Sequence, residues 1–127
     1  TVNIKSFSFK KGYPHDTSGN GGGFVFDCRC LPNPGRYEEY KQLCGTDKQV
    51  IEYLEKEPEV EKFYLAAKTM IEQSIDKYKQ RKFTFLSVYF GCTGGRHRSV
   101  YMAQRLAQEL KKDSKLNVVV QHVEQNS

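Results

Sequence analysis

The sequence predicts an α/β domain in which a small, mostly parallel sheet is flanked by helices. Two patterns carry this prediction: apolar residues recur at helical spacing after Pro58, and a strand–helix–strand order runs through residues 83–120. Strands joined by a helical crossover in about 40 residues are expected to form a parallel pair. The 127 residues fit a single domain, 1–127, and are too few for two. Because the chain starts at Thr1 without Met, we expect it to be part of a longer protein.

Four short apolar segments predict the strands of the sheet. They lie at residues 2–9, 24–28, 83–90 and 116–120. The second is expected to be a buried strand. The third has apolar residues on both faces, which is typical of a central strand in a covered sheet.

Helix signals lie between and after these strands. Thr46 and Gln49 have the spacing of a capping box just before Val50. Pro58 fits the first turn of a long helix. The apolar stripe of that helix consists of Val60, Phe63, Tyr64, Ala67, Met70, Ile71, Ile75 and Tyr78. A second stripe, formed by Val100, Ala103, Leu106, Ala107 and Leu110, predicts a helix after the third strand.

The charge of the chain is unevenly distributed. Residues 1–36, 37–80 and 81–127 carry net charges of +3, −3 and +5. The basic first and last thirds suggest an anionic partner. Four cysteines and no secretory signal favour a reducing cytosol, so we expect a cytoplasmic protein. No apolar run approaches the roughly 20 residues that span a membrane, and neither a membrane partner nor a cofactor is predicted.

The segment 91–99, Gly-Cys-Thr-Gly-Gly-Arg-His-Arg-Ser, carries most of the chemical information. It lies where a buried strand ends and a helix begins, the place where open α/β sheets bind ligands. Gly94 and Gly95 permit positive φ, so successive N–H groups can turn toward one point, and the helix N-terminus adds further N–H donors. Polar and charged side chains complete the loop: Thr93, Arg96, His97, Arg98 and Ser99. This combination predicts a site for phosphate or another oxyanion.

The same segment allows other interpretations. Cys92 and Arg98 have the Cys-x5-Arg spacing of cysteine-dependent phosphatases, in which a thiolate attacks the bound phosphate. Cys30 and Arg36 share this spacing, but two prolines between them remove backbone donors, so the context favours Cys92. The glycine pair can also be a tight turn without a ligand, Cys92 a small buried hydrophobic residue and His97 a residue bonded to its own backbone.

The alternation of residues 27–30, Asp-Cys-Arg-Cys, places Asp27 and Arg29 on one face of a strand. The two side chains can join the loop at 91–99 across the sheet, or they can simply neutralise each other. The two cysteines have no further ligands at standard zinc spacing, so no metal is predicted. The sequence contains no Gly-x4-Gly-Lys-Ser/Thr pattern, which excludes a P-loop nucleotide site within this chain.

The loop at 91–100 resembles the C-terminal domain of the bacterial RapZ RNase adapter family, which includes nucleotide-binding proteins of the YvcJ type. Three further stretches agree in order, at residues 6–14, 27–34 and 45–48. The resemblance implies a domain of phosphofructokinase-like appearance that recognises glucosamine-6-phosphate, a small regulatory RNA, or both. It also implies that an N-terminal P-loop domain, absent from this chain, precedes it.

The resemblance carries over ten candidate ligand residues: Asp27, Arg29, Asn33, Cys92, Thr93, Gly94, Gly95, His97, Arg98 and Ser99. Arg96 joins them because of its charge within the loop. The chain departs from the family at Gly35, where a His is frequent, and at Cys44, where a Thr is usual. It also lacks the family's basic tail, since residues 121–127 hold one acid and no Lys or Arg. Because non-specific RNA affinity scales with the number of neutralised phosphates, this weakens the RNA interpretation.

The leading hypothesis is a regulatory, non-catalytic domain that binds a phosphorylated metabolite, such as an amino-sugar phosphate. Backbone amides and Arg98 hold the phosphate, His97 and Thr93 assist, and Asp27 or Asn33 contacts the polar sugar end. One alternative is a small-RNA-binding adapter module that uses the basic first and last thirds of the chain. A second alternative is a phosphatase in which Cys92 is the nucleophile and Arg98 binds the phosphate.

Overall fold

The described part of the chain folds into four strands and three helices. The computed structural model describes residues 1–14, 23–81 and 84–124. The strands are β1 (Val2–Ser8), β2 (Phe24–Asp27), β3 (Leu86–Cys92) and β4 (Val118–His122). The helices are α1 (Lys48–Glu55), α2 (Pro58–Gln80) and α3 (Arg98–Leu110). Short 3-10 turns cover Phe9–Lys11, Pro34–Arg36 and Glu38–Tyr40. None of the helices in these residues is long and apolar enough to cross a membrane.

The strands form one all-parallel sheet in the order β2-β3-β1-β4. This confirms the predicted α/β class. The expected direct pairing of the third and last strands is wrong, because β1 lies between β3 and β4 and pairs with both. The burial of the strands accounts for this order. β3 is buried at every position and β1 at most positions, whereas β4 alternates between half-buried and exposed residues, as an edge strand does.

Strand β2 is also an edge strand, which corrects the prediction that it is buried. Phe24 and Phe26 face the core with stacked rings 5.6 Å apart, whereas Val25 and Asp27 are exposed. The predicted run 83–90 is realised as β3 from Leu86 onward, and position 83 lies outside the described residues. The sheet thus has two buried inner strands and two half-covered outer ones.

The long helix after Pro58 is confirmed as α2. Its buried positions are Val60, Tyr64, Ala67, Ile71 and Ile75, whereas Met70 of the predicted stripe is 45% exposed. The capping box before α1 is wrong: the N-cap is Asp47, and its Oδ2 accepts a hydrogen bond from Cys44 N at 2.7 Å. The Asp47 carboxylate therefore closes the preceding turn instead of capping the helix.

An ion pair connects the first turn of α2 to α3. Arg105 donates from Nη1 and Nη2 to the two Glu61 carboxylate oxygens at 2.6 and 2.9 Å. Its guanidinium lies 3.8 Å from the centre of the Tyr64 ring, and burial raises the pKa of Tyr64 to about 12. A paired, stacked guanidinium of this kind fixes geometry better than an exposed lysine. The start of α2, including Glu59, is thereby held beside α3.

A hydrogen-bonded chain through His122 joins β4, β1 and α3 and is expected to make stability dependent on pH. His122 Nδ1 lies 2.8 Å from Ser6 Oγ, and Nε2 lies 3.0 Å from Gln104 Oε1. Burial lowers the pKa of His122 below its ordinary value of 6.5. The unfolded chain then binds the proton more readily than the folded one. We expect the free energy of unfolding to be highest above pH 6.5 and to fall as the pH drops through the folded pKa.

Urea titrations between neutral and mildly acidic pH test this expectation. His122→Gln removes the titrating group, so the decrease in that window should be absent from the variant. The carboxylates with lowered pKa, such as Glu61 and Asp113, titrate at more acidic pH and do not contribute there. If the free energy of unfolding decreased equally with falling pH in both proteins, the assignment to His122 would be contradicted.

Candidate functional site

The loop between β3 and α3 lies at the carboxyl end of the sheet. It comprises residues 93–97, because Gly91 and Cys92 belong to β3 and α3 begins at Arg98. Ser8 Oγ at the end of β1 donates to Thr93 O at 2.5 Å. The loop is therefore anchored to the neighbouring inner strand.

Only one of the two loop glycines has the predicted conformation. Gly95 has φ of 72°, whereas Gly94 is not among the glycines with positive φ in the described chain. A methyl group on Gly95 would lie 2.5 Å from Glu124 Cγ and 2.9 Å from Ser8 N, so both the backbone angle and the close packing require glycine there. Gly94 has open space where a Cβ would lie, and its φ does not support the prediction that it adopts a positive value in the turn.

Backbone donors are available in the loop and in the first turn of α3. Among the described residues, the N–H groups of Thr93, Gly94 and Gly95 donate no hydrogen bond to a protein acceptor. The N-cap residue of α3 is His97, and no side chain caps this helix end. An uncapped helix N-terminus carries a partial positive charge and binds anions.

Arg98 is buried, with 5% of its surface exposed. Its Nη1 donates to the carbonyl oxygens of Arg29 at 2.9 Å and Leu31 at 3.1 Å, and so joins the segment after β2 to α3. Its Nε is buried and has no partner among the described residues. A buried guanidinium nitrogen without an acceptor is costly, which makes it a candidate for binding an anion.

A cleft of about 360 Å³ opens beside Arg98. It is lined by Arg29, Cys30, Leu31, Pro32, Asn33, Arg36, Glu59, Thr93 and Arg98. Three guanidinium groups thus meet one carboxylate, that of Glu59. Within the described residues Arg36 and Glu59 form no ion pair, although both line the same cleft. The cleft therefore has a net positive charge, and its Arg36 has no ion-pair partner within the part of the chain that the structure describes.

Four of the predicted site residues line this cleft: Arg29, Asn33, Thr93 and Arg98. Sequence analysis missed Arg36 and Glu59. Arg36 has a sequence signal, its Cys-x5-Arg spacing from Cys30, but the prolines between them remove backbone donors and argue against an anion-binding loop there. The structure shows that this segment contributes side chains to the cleft, for which the missing donors do not matter. Glu59 has no local signal, since an acid in the first turn of a helix is common.

Asp27 and Arg29 form a pair at the end of β2. Arg29 Nη2 donates to Asp27 Oδ2 at 2.6 Å, and this hydrogen bonding lowers the pKa of Asp27. The Arg29 guanidinium also lies 4.4 Å from the centre of the Phe9 ring. Asp27 does not line the cleft, whereas Asn33 does and accepts from Gly35 N at 3.0 Å through Oδ1. Of the two residues predicted to contact the sugar, Asn33 lines the cleft and Asp27 does not, and contact with a ligand stays a prediction for both.

His97 and Arg96 are directed toward the segment 35–45. His97 Nε2 donates to Tyr40 O at 2.9 Å, and its ring packs on Gly35. Arg96 is exposed, and its Nη2 lies 3.4 Å from Gln42 O. Neither side chain lines the cleft, so a ligand contact by His97 or Arg96 stays a prediction.

Cys92 and Ser99 lie beneath the loop. Their Sγ and Oγ atoms are 3.1 Å apart, and both residues are buried. Cys28 is buried nearby, and burial raises the pKa of its thiol well above the ordinary value. Cys92 does not line the cleft, and its action as a nucleophile stays a prediction. The described residues contain no group of three His, Cys, Asp or Glu side chains that could hold a metal ion.

Comparisons with known proteins identify the family. A model of the RapZ C-terminal domain matches residues 1–126. A relative named nucleotide-binding protein from Ectopseudomonas mendocina is 42% identical over 119 residues, covering 94% of this chain and 40% of the relative. Proteins of the same name from Acidithiobacillus ferrooxidans (40% identity, 95% and 38% covered) and Pseudothermotoga lettingae (39% identity, 98% and 42% covered) are also similar.

This chain therefore spans about two fifths of the length of those relatives. The match extends well beyond the glycine loop and the three short stretches that first indicated the resemblance. Because the family model matches residues 1–126 of the 127-residue chain, the chain belongs to the RapZ C-terminal domain family.

Proposed function

We propose that this domain binds a phosphorylated small molecule in the arginine cleft and acts as a non-catalytic sensor. The observation that carries the proposal is the meeting of Arg29, Arg36 and Arg98 in one cleft at the carboxyl end of the sheet. Guanidinium groups match the geometry of phosphate oxygens and form charge-assisted hydrogen bonds with them. The Thr93 hydroxyl and the uncapped start of α3 add neutral donors beside the cleft.

The ligand we propose is an amino-sugar phosphate such as glucosamine-6-phosphate, as the family resemblance implies. Glu59 is the carboxylate among the lining residues and forms no ion pair within the described chain. It offers a partner for an ammonium group at the opposite end of a ligand whose phosphate lies on the arginines. Asp27, which the sequence suggests as a contact for the polar sugar end, is engaged by Arg29. Asn33 offers an amide to the sugar hydroxyls.

Calorimetric titration of Arg36→Ala with glucosamine-6-phosphate tests the proposal. Arg36 is exposed and has no described partner, so its removal should leave the fold intact. A hydrogen bond to a charged group contributes about 1.5–3 kcal/mol, so we expect affinity to fall roughly ten- to hundredfold. Arg81→Ala, an exposed arginine outside the cleft, is the matched control and should bind like the original protein. Equal affinity in both variants would refute binding in this cleft.

The Glu59→Gln variant tests the amino-sugar part separately. The exposed carboxylate should favour glucosamine-6-phosphate over glucose-6-phosphate by roughly threefold, the size expected of an exposed ion pair. The preference should disappear in Glu59→Gln while affinity for glucose-6-phosphate is kept. An unchanged preference would remove Glu59 from the recognition of the ligand and leave phosphate binding untouched.

The RNA-binding and phosphatase hypotheses stay predictions. The tail on which the RNA argument depends lies partly outside the described residues, at 125–127. A steep fall of RNA affinity with salt would favour that hypothesis. For the phosphatase, Cys92 is 2% exposed and does not line the cleft. Turnover of a generic aryl phosphate that is abolished by Cys92→Ser would favour that chemistry.

A further inference from the structure

The four cysteines differ sharply in accessibility. Cys28 and Cys92 are buried, Cys44 is half-buried and Cys30 is exposed. Burial raises the pKa of the Cys28 thiol, which keeps it protonated and unreactive. Cys44 Sγ lies 3.0 Å from Thr46 Oγ1. Cys30 is therefore the thiol most open to a reagent from solution.

Cys30 also lines the arginine cleft, together with Arg29, Arg36 and Arg98. Two observations indicate that this cleft attracts anions. Arg36 has no ion-pair partner in the described part of the chain. Arg98 is 5% exposed, and its Nε has no acceptor there. A cleft with a net positive charge concentrates anionic ligands and raises their association rate.

We propose that Cys30 is a covalent modification site for small disulfides that carry carboxylates, such as oxidised glutathione. The Cys30 thiolate attacks one sulfur of the disulfide, a new S–S bond forms to Cys30, and the original S–S bond breaks. The departing thiolate takes up the proton that Cys30 released, so one free thiol leaves for each chain modified. The adduct fills the cleft. This inference rests on the same cleft as the proposed function. Modification of Cys30 would make ligand binding in that cleft sensitive to redox conditions.

The experiment compares two disulfide reagents on the full chain, dianionic dithiobis(nitrobenzoate) and neutral dithiodipyridine. Peptide mass analysis assigns each adduct to Cys30 or Cys44. We expect the ratio of anionic to neutral rates to be roughly tenfold higher at Cys30 than at Cys44 at low ionic strength, and to decline as salt rises. Oxidised glutathione should add one group to the chain and none to Cys30→Ser.

The arginine variants supply the controls. Arg36→Ala should slow the anionic reagent at Cys30 and leave the neutral reagent unchanged, whereas Arg81→Ala should affect neither. Equal rate ratios at the two cysteines, unaffected by Arg36→Ala, would overturn the proposal.

Titration of glucosamine-6-phosphate into Cys30→Ser separates this inference from the proposed function. Binding without charge-selective modification overturns the inference alone. Charge-selective modification without sugar-phosphate binding overturns the proposed function alone. When both hold, the glutathionylated chain should bind glucosamine-6-phosphate at least about tenfold more weakly, because the adduct occupies the space of the ligand.

Discussion

Replacing Arg98 with alanine is expected to weaken folding and ligand binding together. The substitution removes both hydrogen bonds from Nη1 and leaves the carbonyl oxygens of Arg29 and Leu31 without this donor. A buried acceptor left unpaired costs about 1–3 kcal/mol, and the bond to Leu31 O is buried whereas the bond to Arg29 O is partly buried. We therefore expect the free energy of unfolding, measured by urea denaturation, to fall by about 2–3 kcal/mol. Affinity for glucosamine-6-phosphate should fall at least tenfold, because the cleft loses a guanidinium and the segment after β2 loses its attachment.

Two further variants separate charge from geometry. Arg98→Lys keeps the positive charge, but its shorter side chain does not place a donor where Nη1 bonds both carbonyl oxygens, so its stability should lie between the original protein and Arg98→Ala. Arg96→Ala removes an exposed neighbour whose described contact is the 3.4 Å approach to Gln42 O. Its free energy of unfolding should change by less than about 0.5 kcal/mol. If Arg98→Ala were as stable as Arg96→Ala, the buried guanidinium would have no structural role.

The elements that sequence analysis predicted well are those with a strong local pattern. The stripe of α2 repeats over six turns, and β3 carries apolar residues on both faces, so neither depends on knowing its neighbours. The order of the strands does depend on them. Nothing in β4 shows that it pairs with β1 rather than β3, because this choice is made by packing between segments more than 100 residues apart.

The candidate site likewise contains residues that the sequence predicts and residues that it does not. The loop at 91–99 was predictable, because glycines, arginines and a strand-to-helix junction are adjacent in sequence. Two of the charged residues that line the cleft beside the loop could not be predicted, because they are distant from it in sequence. Arg36 reaches the cleft from the 3-10 turn Pro34–Arg36, and Glu59 reaches it from the first turn of α2. The sequence also does not predict the direction of a side chain. Arg98 lines the cleft, whereas the adjacent His97 donates a hydrogen bond to Tyr40 O.

The second large effect is expected from Gly45→Ala. Gly45 N donates to Arg96 O at 2.7 Å, and Gly45 lies directly against the start of α3. A methyl group there would collide with the His97 carbonyl oxygen and lie 2.5 Å from Tyr101 N, both of which are backbone atoms. Backbone cannot rotate aside as a side chain does, so the first turn of α3 must shift. We expect a loss of about 2–3 kcal/mol in the free energy of unfolding, typical of overpacking.

Gly94→Ala is the matched control, since a methyl group at Gly94 meets no atom within 4 Å and Gly94 does not have positive φ. Its stability should equal or slightly exceed that of the original protein, because alanine restricts the unfolded chain more than glycine does. The two variants also differ in what they do to the site. The shift caused by Gly45→Ala moves the donors at the start of α3, so affinity for glucosamine-6-phosphate should fall even where the variant is fully folded. Equal stability and equal affinity in both alanine variants would mean that Gly45 does not position the loop at 93–97 and the start of α3.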